Sequence, residues 1–131
     1  MADAPTDRRY SPDHEWVQLR SEDPDGTRFR IGISDFAQDA LGDIVFVDLP
    51  DVGREVEQGE TLAEVESTKS VGEVYAAVSG TVVAVNEALT DEPELVNGDP
   101  YGAGWIAELV TGDPAPFEEL LDATAYAATL D

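Results

Sequence analysis

The 131-residue chain contains no cysteine and a single lysine. The absence of cysteine excludes disulfide bonds, zinc sites built from thiolates and catalysis by a protein thiol. No apolar run approaches the ~20 residues that a membrane-spanning helix needs. The N-terminal segment, residues 1–9, begins acidic and lacks an apolar stretch, so it resembles neither a signal peptide nor a transit peptide. We therefore expect a soluble, cytoplasmic protein.

Positive charge is scarce: seven Lys and Arg residues stand against 29 Asp and Glu, a formal net charge of -22. Such a surface repels nucleic acid and anionic membranes, so we expect neither as a partner. A hydrophobic content of 42% argues against disorder. The acids are spread along the whole chain, and salt near 1 M would shorten the Debye length to roughly 3 Å and screen their repulsion. The composition predicts halophilic adaptation, with an unusually acidic mesophilic protein as the alternative.

The chain length fits a single domain, which we predict to span residues 1–131. Alternating polar and apolar residues predict a hairpin of strands over 16–20 and 28–33, joined by a turn over 22–26. Further strands are predicted over 44–47, which looks buried, and over 61–66, 71–78, 81–86 and 105–110. Many short strands at regular spacing predict a mainly β sandwich rather than alternating βαβ units.

Two helices are predicted from their end signals. Ser34 can cap a short helix that Gly42 ends. Pro116 can begin a C-terminal helix. The apolar stripe of that second helix would comprise Phe117, Leu120, Leu121 and Thr124.

The single lysine, Lys69, lies in the turn between the predicted strands 61–66 and 71–78. Its neighbours Ser67, Thr68 and Ser70 are small and polar, as suits a tight exposed turn. A lysine at a hairpin tip projects its amine away from the body of the protein. That position suits presentation to other enzymes better than it suits an active-site pocket.

Negative charge around Lys69 disfavours intrinsic reactivity. Glu64, Glu66 and Glu73 flank the turn and favour the ammonium form of the lysine. A Schiff-base or general-base lysine instead needs a lowered pKa. Modification of the amine by an external ligase is therefore the favoured interpretation, while an ordinary solvent-exposed lysine is the alternative without a function.

The sequence around Lys69 resembles a known attachment site. Residues 66–70 (Glu-Ser-Thr-Lys-Ser) and 75–80 (Tyr-Ala-Ala-Val-Ser-Gly) resemble the lipoyl-attachment hairpin of glycine cleavage system H proteins. Further segments match the family in its order: 14–17, 32–38, 41–50, 93–97 and 99–105. At this turn biotin carriers typically have Met-Lys-Met, and acyltransferase lipoyl domains typically have Asp-Lys-Ala. This chain has neither sequence. Ala77 departs from the pattern, because the family usually has proline there.

The resemblance implies a lipoyl-carrier β sandwich (barrel-sandwich hybrid) with short helices and a C-terminal helix. It implies a carrier rather than an enzyme, with (R)-lipoate bound covalently to Lys69. In glycine catabolism and one-carbon metabolism, this carrier shuttles the aminomethyl group of glycine. Its partners are pyridoxal-phosphate glycine decarboxylase (P protein), tetrahydrofolate-dependent aminomethyltransferase (T protein) and dihydrolipoyl dehydrogenase (L protein), and a lipoyl ligase or lipoyltransferase attaches the cofactor. Two alternatives stay open: a lipoyl-relay protein that donates lipoate to other complexes, and an enzyme that uses Lys69 directly.

The resemblance also implies a cleft for the loaded arm near residues 14–16. There Glu15 would bind the cationic amine of the aminomethyl group, with Asp13 and Glu73 as helpers, because charge-assisted hydrogen bonds are strong. A solvated surface carboxylate is the alternative for each of these acids. The sole histidine, His14, has no metal-ligand or catalytic-triad spacing around it, so we predict that it lines the cleft or forms a structural hydrogen bond. No metal site is predicted.

Overall fold

In the computed structural model, which describes residues 4–24 and 26–130, nine strands form two antiparallel sheets around a shared apolar core. In chain order the strands are β1 (Arg9–Tyr10), β2 (Glu15–Asp23), β3 (Gly26–Ile33), β4 (Ile44–Asp48), β5 (Glu55–Val56), β6 (Thr61–Ser67), β7 (Val71–Tyr75), β8 (Gly80–Val85) and β9 (Ala107–Thr111). The larger sheet has the order β1-β2-β3-β9-β8-β5 and the smaller one the order β4-β6-β7. The predicted mainly β sandwich is confirmed.

The predicted hairpin is formed by β2 and β3, whose register sets Val17 opposite Ile31. Both of these side chains are fully buried, as the alternation of the sequence requires. Asp25 of the predicted turn lies outside the described residues, as do residues 1–3 of the N-terminal segment. The strand predicted over 71–78 ends earlier, at Tyr75. Strands β1 and β5 have two residues each, too few to produce an alternating pattern.

Strand β4 is not buried on both faces, so that prediction was wrong. Ile44 and Val47 face the core, whereas Val45 and Phe46 are 54% and 49% exposed. A bulge interrupts the pairing of β4 with β6 between Ile44 and Phe46. Since the smaller sheet has one face on the core, its other face carries these two apolar side chains outward.

The first helix, α1 (Asp35–Leu41), has the predicted ends. The hydroxyl of Ser34 accepts a hydrogen bond from the amide of Ala37 at 3.2 Å. Gly42 ends the helix with φ 91°, a conformation that residues with a side chain rarely adopt. Two short helices, α2 (Ala88–Asp91) and α3 (Leu95–Gly98), follow β8. No helix in the described residues is long and apolar enough to cross a membrane.

The C-terminal segment contains two helices, α4 (Ala115–Glu118) and α5 (Ala123–Thr129). The prediction of a C-terminal helix is confirmed, but a single helix continuing from Pro116 was wrong. Between the two helices, the amide and carbonyl of Leu121 pair with the carbonyl and amide of Tyr10 at 2.9 and 2.8 Å. Asp122 then caps α5 by accepting a hydrogen bond from the amide of Ala125 at 2.7 Å.

Candidate functional site

The turn that carries Lys69 is fixed by hydrogen bonds on both sides. The hydroxyl of Ser67 accepts hydrogen bonds from the amides of Ser70 at 3.0 Å and Lys69 at 3.3 Å. The amide of Thr68 donates to the carbonyl of Asp43 at 3.0 Å, which ties the turn to the segment between α1 and β4. The backbone of Lys69 is therefore held by residues before it, after it and across from it.

The side chain of Lys69 is exposed at the hairpin tip, as predicted. Its stem passes over Gly42, because a Cβ atom on Gly42 would stand only 3.2 Å from Cε of Lys69. The sequence had suggested that the Lys69 side chain extends freely from the body of the protein. Its stem instead follows the end of α1. Within the described residues the Lys69 amine has no hydrogen bond or ion pair, whereas each of the six arginines donates to at least one acceptor.

A cleft of about 200 Å³ lies between α1, the start of β7 and residues 13–15. Its apolar wall is formed by Phe36, Ala37, Ala40 and Leu41 of α1. The four residues predicted for an arm-binding cleft all line it: Asp13, His14, Glu15 and Glu73. Lys69 stands at one end of this space. Its stem lies against Gly42, which follows the cleft residue Leu41 in the chain. Gly72, on the opposite wall of the cleft, is three residues after Lys69.

Glu15 is the buried carboxyl of the cleft, with 2% of its surface exposed. Its Oε1 accepts a hydrogen bond from the hydroxyl of Ser11 at 2.6 Å, and its Oε2 accepts one from the amide of Tyr75 at 3.3 Å. Burial raises the pKa of Glu15 to about 7, and these two hydrogen bonds only partly oppose that rise. A cationic partner would stabilise the ionised form of this carboxyl, because it would offset the loss of hydration.

His14 has φ 73°, and it is the one described residue other than glycine with a positive φ. Its Nδ1 lies 2.8 Å from the hydroxyl of Tyr126, and its ring packs on Phe36 with centroids 4.7 Å apart. Burial lowers the pKa of His14, so its neutral form is favoured near pH 7. The histidine thus lines the cleft and also forms a hydrogen bond within the fold.

Asp13 and Glu73 occupy the exposed rim of the cleft. The carboxylate of Glu73 accepts a hydrogen bond from the hydroxyl of Tyr75 at 2.8 Å. Both acids keep most of their contact with water, so they can attract a cation but cannot enclose it. No group of His, Asp and Glu side chains in the described residues has an arrangement that could hold a metal ion.

Two residues that organise the site were not predicted. Asn97 donates hydrogen bonds to the carbonyl of Gly42 at 3.0 Å and to the side chain of Gln38 at 2.8 Å, and it accepts one from the amide of Ile44 at 2.8 Å. It therefore fixes the segment that the Lys69 stem contacts. The other is Tyr126, the partner of His14. Asn97 lies in a segment that matches the family, whereas no sequence pattern marks Tyr126.

A model of the glycine cleavage H-protein family matches residues 8–131. The chain belongs to this family. It is 53% identical over 134 residues to the glycine cleavage system H protein of Mycobacterium avium (strain 104), covering 99% of this chain and 98% of that one. The H protein of Enterobacter sp. (strain 638) is 52% identical over 131 residues, covering 100% and 98%. The crystal structure of an H protein from Mycobacterium marinum matches with a TM-score of 0.83 at 44% identity, covering 97% and 98%.

As a member of the H-protein family, the chain is the lipoyl carrier of the glycine cleavage system and is not itself a catalyst. H proteins bear lipoate covalently on a lysine and work with the P, T and L proteins of that system. The family, the fold and the carrier function predicted from the sequence are thereby confirmed.

Proposed function

We propose that lipoate is attached to Nζ of Lys69 and that the chain shuttles the aminomethyl group of glycine from the P protein to the T protein. One observation carries the proposal: the only lysine of the chain stands at an exposed turn with its amine unpaired within the described residues. An amide needs a primary amine, and no other side chain in the sequence provides one. Arginine could not replace it.

The attachment chemistry suits an exposed ammonium beside a rigid turn. A lipoyl ligase would present lipoate as an acyl adenylate, and the deprotonated amine would attack the acyl carbon. The amide bond forms, the bond between acyl carbon and phosphate oxygen breaks, AMP leaves, and the proton of the amine passes to solvent. Once attached, lipoate supplies the disulfide chemistry that a chain without cysteine lacks.

The cleft residues are proposed to hold the loaded end of the arm. The apolar wall of α1 suits a hydrocarbon chain, and Glu15 at the base suits an ammonium group. When the cation enters, the pKa of Glu15 falls because an opposite charge favours the carboxylate. Asp13 and Glu73 add negative charge at the rim, and His14 contributes a neutral wall. The support is their shared position around one space at the end of which Lys69 stands.

Intact mass tests the attachment directly. After co-expression with a lipoate–protein ligase, the wild-type chain should carry one lipoyl adduct and Lys69→Arg none. A lysine-specific protease should cut the unmodified chain once, after Lys69, and leave the modified chain whole. Glycine-dependent exchange of carbon dioxide with the P protein then distinguishes the shuttle from a protein that only relays lipoate. A lipoyl adduct on Lys69→Arg, or the absence of one on the wild type, would contradict the proposal.

We further propose that the enzyme loading this carrier is a lipoyl ligase or lipoyltransferase, and that residues 1–131 act as one domain in the cytoplasm. The carrier must meet three enzymes that use soluble cofactors, tetrahydrofolate and NAD among them. Its presence in the soluble cytoplasmic fraction together with those enzymes is the expected result of cell fractionation.

Adaptation to high salt is also part of the proposal. Seven basic residues cannot neutralise 29 acids, and the ion pairs within 4 Å in the described part of the chain involve Asp7 and Glu108. Glu108 alone takes three of the arginines, Arg28 at 2.6 Å, Arg30 at 2.7 Å and Arg20 at 3.8 Å. Most carboxylates therefore depend on solvent ions for screening.

A further inference from the structure

The outer face of the β4-β6-β7 sheet presents apolar side chains beside the Lys69 turn. The register pairs Phe46 with Glu66 and Glu66 with Val71, so these three side chains form one row across the sheet. Phe46 is 49% exposed and Val71 is 58% exposed. Val45, at the bulge, adds a third exposed apolar side chain next to this row. Phe46 and Val71 lie on the two outer strands of this sheet, with the exposed Glu66 of β6 between them. Exposed apolar side chains grouped on one face of a sheet mark a candidate binding surface.

A second row on the same face consists of acids. The register pairs Asp48 with Glu64 and Glu64 with Glu73. Like charges directly opposite each other destabilise a sheet. Within the described residues no cationic side chain lies within 4 Å of any of the three. The face thus keeps a repulsive row of acids next to the row that carries Phe46 and Val71 (the apolar row), whose middle residue is Glu66.

We propose that this outer face is the docking surface for the enzyme that acylates Lys69. The face comprises the apolar residues Val45, Phe46 and Val71 and, in the adjacent row, the acids Asp48 and Glu64. The complementary surface on that enzyme has an apolar centre for Phe46 and Val71 and a rim of lysine or arginine for the acids. The inference rests on Lys69 being the attachment site.

The reach of the lysine selects this partner among those of the carrier. Attachment requires the amine itself to enter an active site, so the enzyme must close around the hairpin. Val71 is two residues from Lys69, no more than ~7 Å along an extended chain. The P, T and L proteins instead meet the far end of a loaded arm, which does not require them to contact β4 or β7.

The two rows contribute differently to docking. The acids attract a basic rim from a distance, an effect that salt removes. The apolar contact persists in salt, because it depends on excluding water from the surface of Phe46 and Val71. A chain adapted to high salt therefore needs the apolar row for affinity, and the acidic row accelerates encounter when salt is low.

The test measures lipoylation of the unmodified chain by a purified lipoate–protein ligase with lipoate and ATP, together with the Kd of the two proteins. The double variant Phe46→Ser, Val71→Thr should raise both KM and Kd about tenfold, while kcat changes less than twofold. The double variant Asp48→Asn, Glu64→Gln should weaken binding a few-fold at 0.05 M KCl and not at 1 M.

The matched control is Leu19→Ser, since this apolar residue is 41% exposed but lies on β2, in the other sheet. This control should leave KM and Kd unchanged. An apolar double variant with wild-type KM and Kd would overturn the proposal. It would equally be overturned if that variant bound the ligase normally but lost exchange activity with the P protein, or if the face proved to hold a second copy of the chain. Failure of the Lys69 assignment looks different, because the wild type would then accept no lipoate at all.

Discussion

The hydroxyl of Tyr126, in the last helix, lies 2.8 Å from Nδ1 of His14, in the wall of the cleft. The same hydroxyl lies 2.7 Å from Oγ of Ser34, the cap of α1. Residues at the two ends of the chain are thereby joined through one buried oxygen. The positive φ of His14 is maintained by this contact together with the bond from the amide of Ser34 to the carbonyl of His14 at 2.8 Å.

Tyr126→Phe should lower the free energy of unfolding by about 1–2 kcal/mol, because it leaves the polar atoms of Ser34 and His14 without this partner. The ring would remain stacked on Tyr10, whose centroid is 4.6 Å away, so the packing is conserved. Urea denaturation measures the change. Tyr75→Phe is the control, since its hydroxyl binds only Glu73 at the surface, and its stability should stay within about 0.5 kcal/mol of the wild type. Equal losses in the two variants would contradict the assigned role.

Glu15 should make the protein less stable as the pH rises from about 4.5 to about 7. Its pKa is raised by burial from an ordinary value of 4.5 to about 7, so the folded state holds a proton that the unfolded state has already released. Above this range the free energy of unfolding of the wild type is therefore lowered by the cost of ionising a buried carboxyl, and that of Glu15→Gln is not. The stability of Glu15→Gln relative to the wild type should increase by on the order of 3 kcal/mol between pH 4 and pH 8.

Urea denaturation of both proteins at each pH tests this expectation, and the difference between them removes the titration of the other acids. The glutamine amide can donate to Ser11 and accept from the amide of Tyr75, so both contacts are retained. Gln58→Glu, in the exposed turn between β5 and β6, provides a carboxyl without burial as a control. A difference between wild type and Glu15→Gln that is independent of pH would exclude a raised pKa.

Asn97→Ala should loosen the base of the Lys69 turn. The substitution removes the hydrogen bonds to Gly42 and Ile44, and the carbonyl of Asp43, which lies between them, accepts from the amide of Thr68. We expect faster hydrogen exchange at the Thr68 amide, by about tenfold for each 1.4 kcal/mol of lost local stability. NMR of the labelled chain measures it.

Asn86→Ala is the matched control for that experiment. Asn86 also uses its amide to bind two carbonyls, those of Ala103 and Trp105, but it lies in another part of the fold. Its variant should lose comparable global stability without a selective change at Thr68. Unchanged exchange at Thr68 in Asn97→Ala would show that the turn does not depend on this side chain.

Stability should rise with KCl between 0.1 and 2 M, because screening reduces the repulsion among the acids. Thermal melts would record Tm at each concentration. Asp48→Asn, Glu64→Gln removes two charges from the acidic row, so it should melt higher than the wild type at low salt and gain less from KCl. A Tm that does not rise with KCl would contradict halophilic adaptation.

The elements that were predictable from the sequence are those whose signals are local. The hairpin of β2 and β3 follows from alternation, and α1 follows from Ser34 and Gly42. The exposure of Phe46 depends instead on which face of β4 meets the core, and that is decided by its pairing with β6. The break at Leu121 depends on β1, which is more than a hundred residues earlier in the chain.

The functional site likewise contains residues that the sequence identifies and residues that only the structure identifies. Lys69 could be found by counting, and Glu15 by resemblance to a family. The hydrogen bond between His14 and Tyr126 joins positions 112 residues apart, and that between Asn97 and Gly42 joins positions 55 residues apart. Only the folded chain brings these side chains together, so neither supporting residue could be assigned a role beforehand.

The bonds that hold the backbone of Lys69 also set how an arm attached there can move. With Ser67 closing the turn and Thr68 bound to Asp43, the pivot is stationary with respect to the sheets. The sweep of the arm is then limited to the torsions of the lysine side chain and of whatever it carries. The fixed pivot and the length of the arm set a maximum distance from the carrier at which cargo can be delivered, so an enzyme that receives it can bury its reaction centre no deeper than that distance.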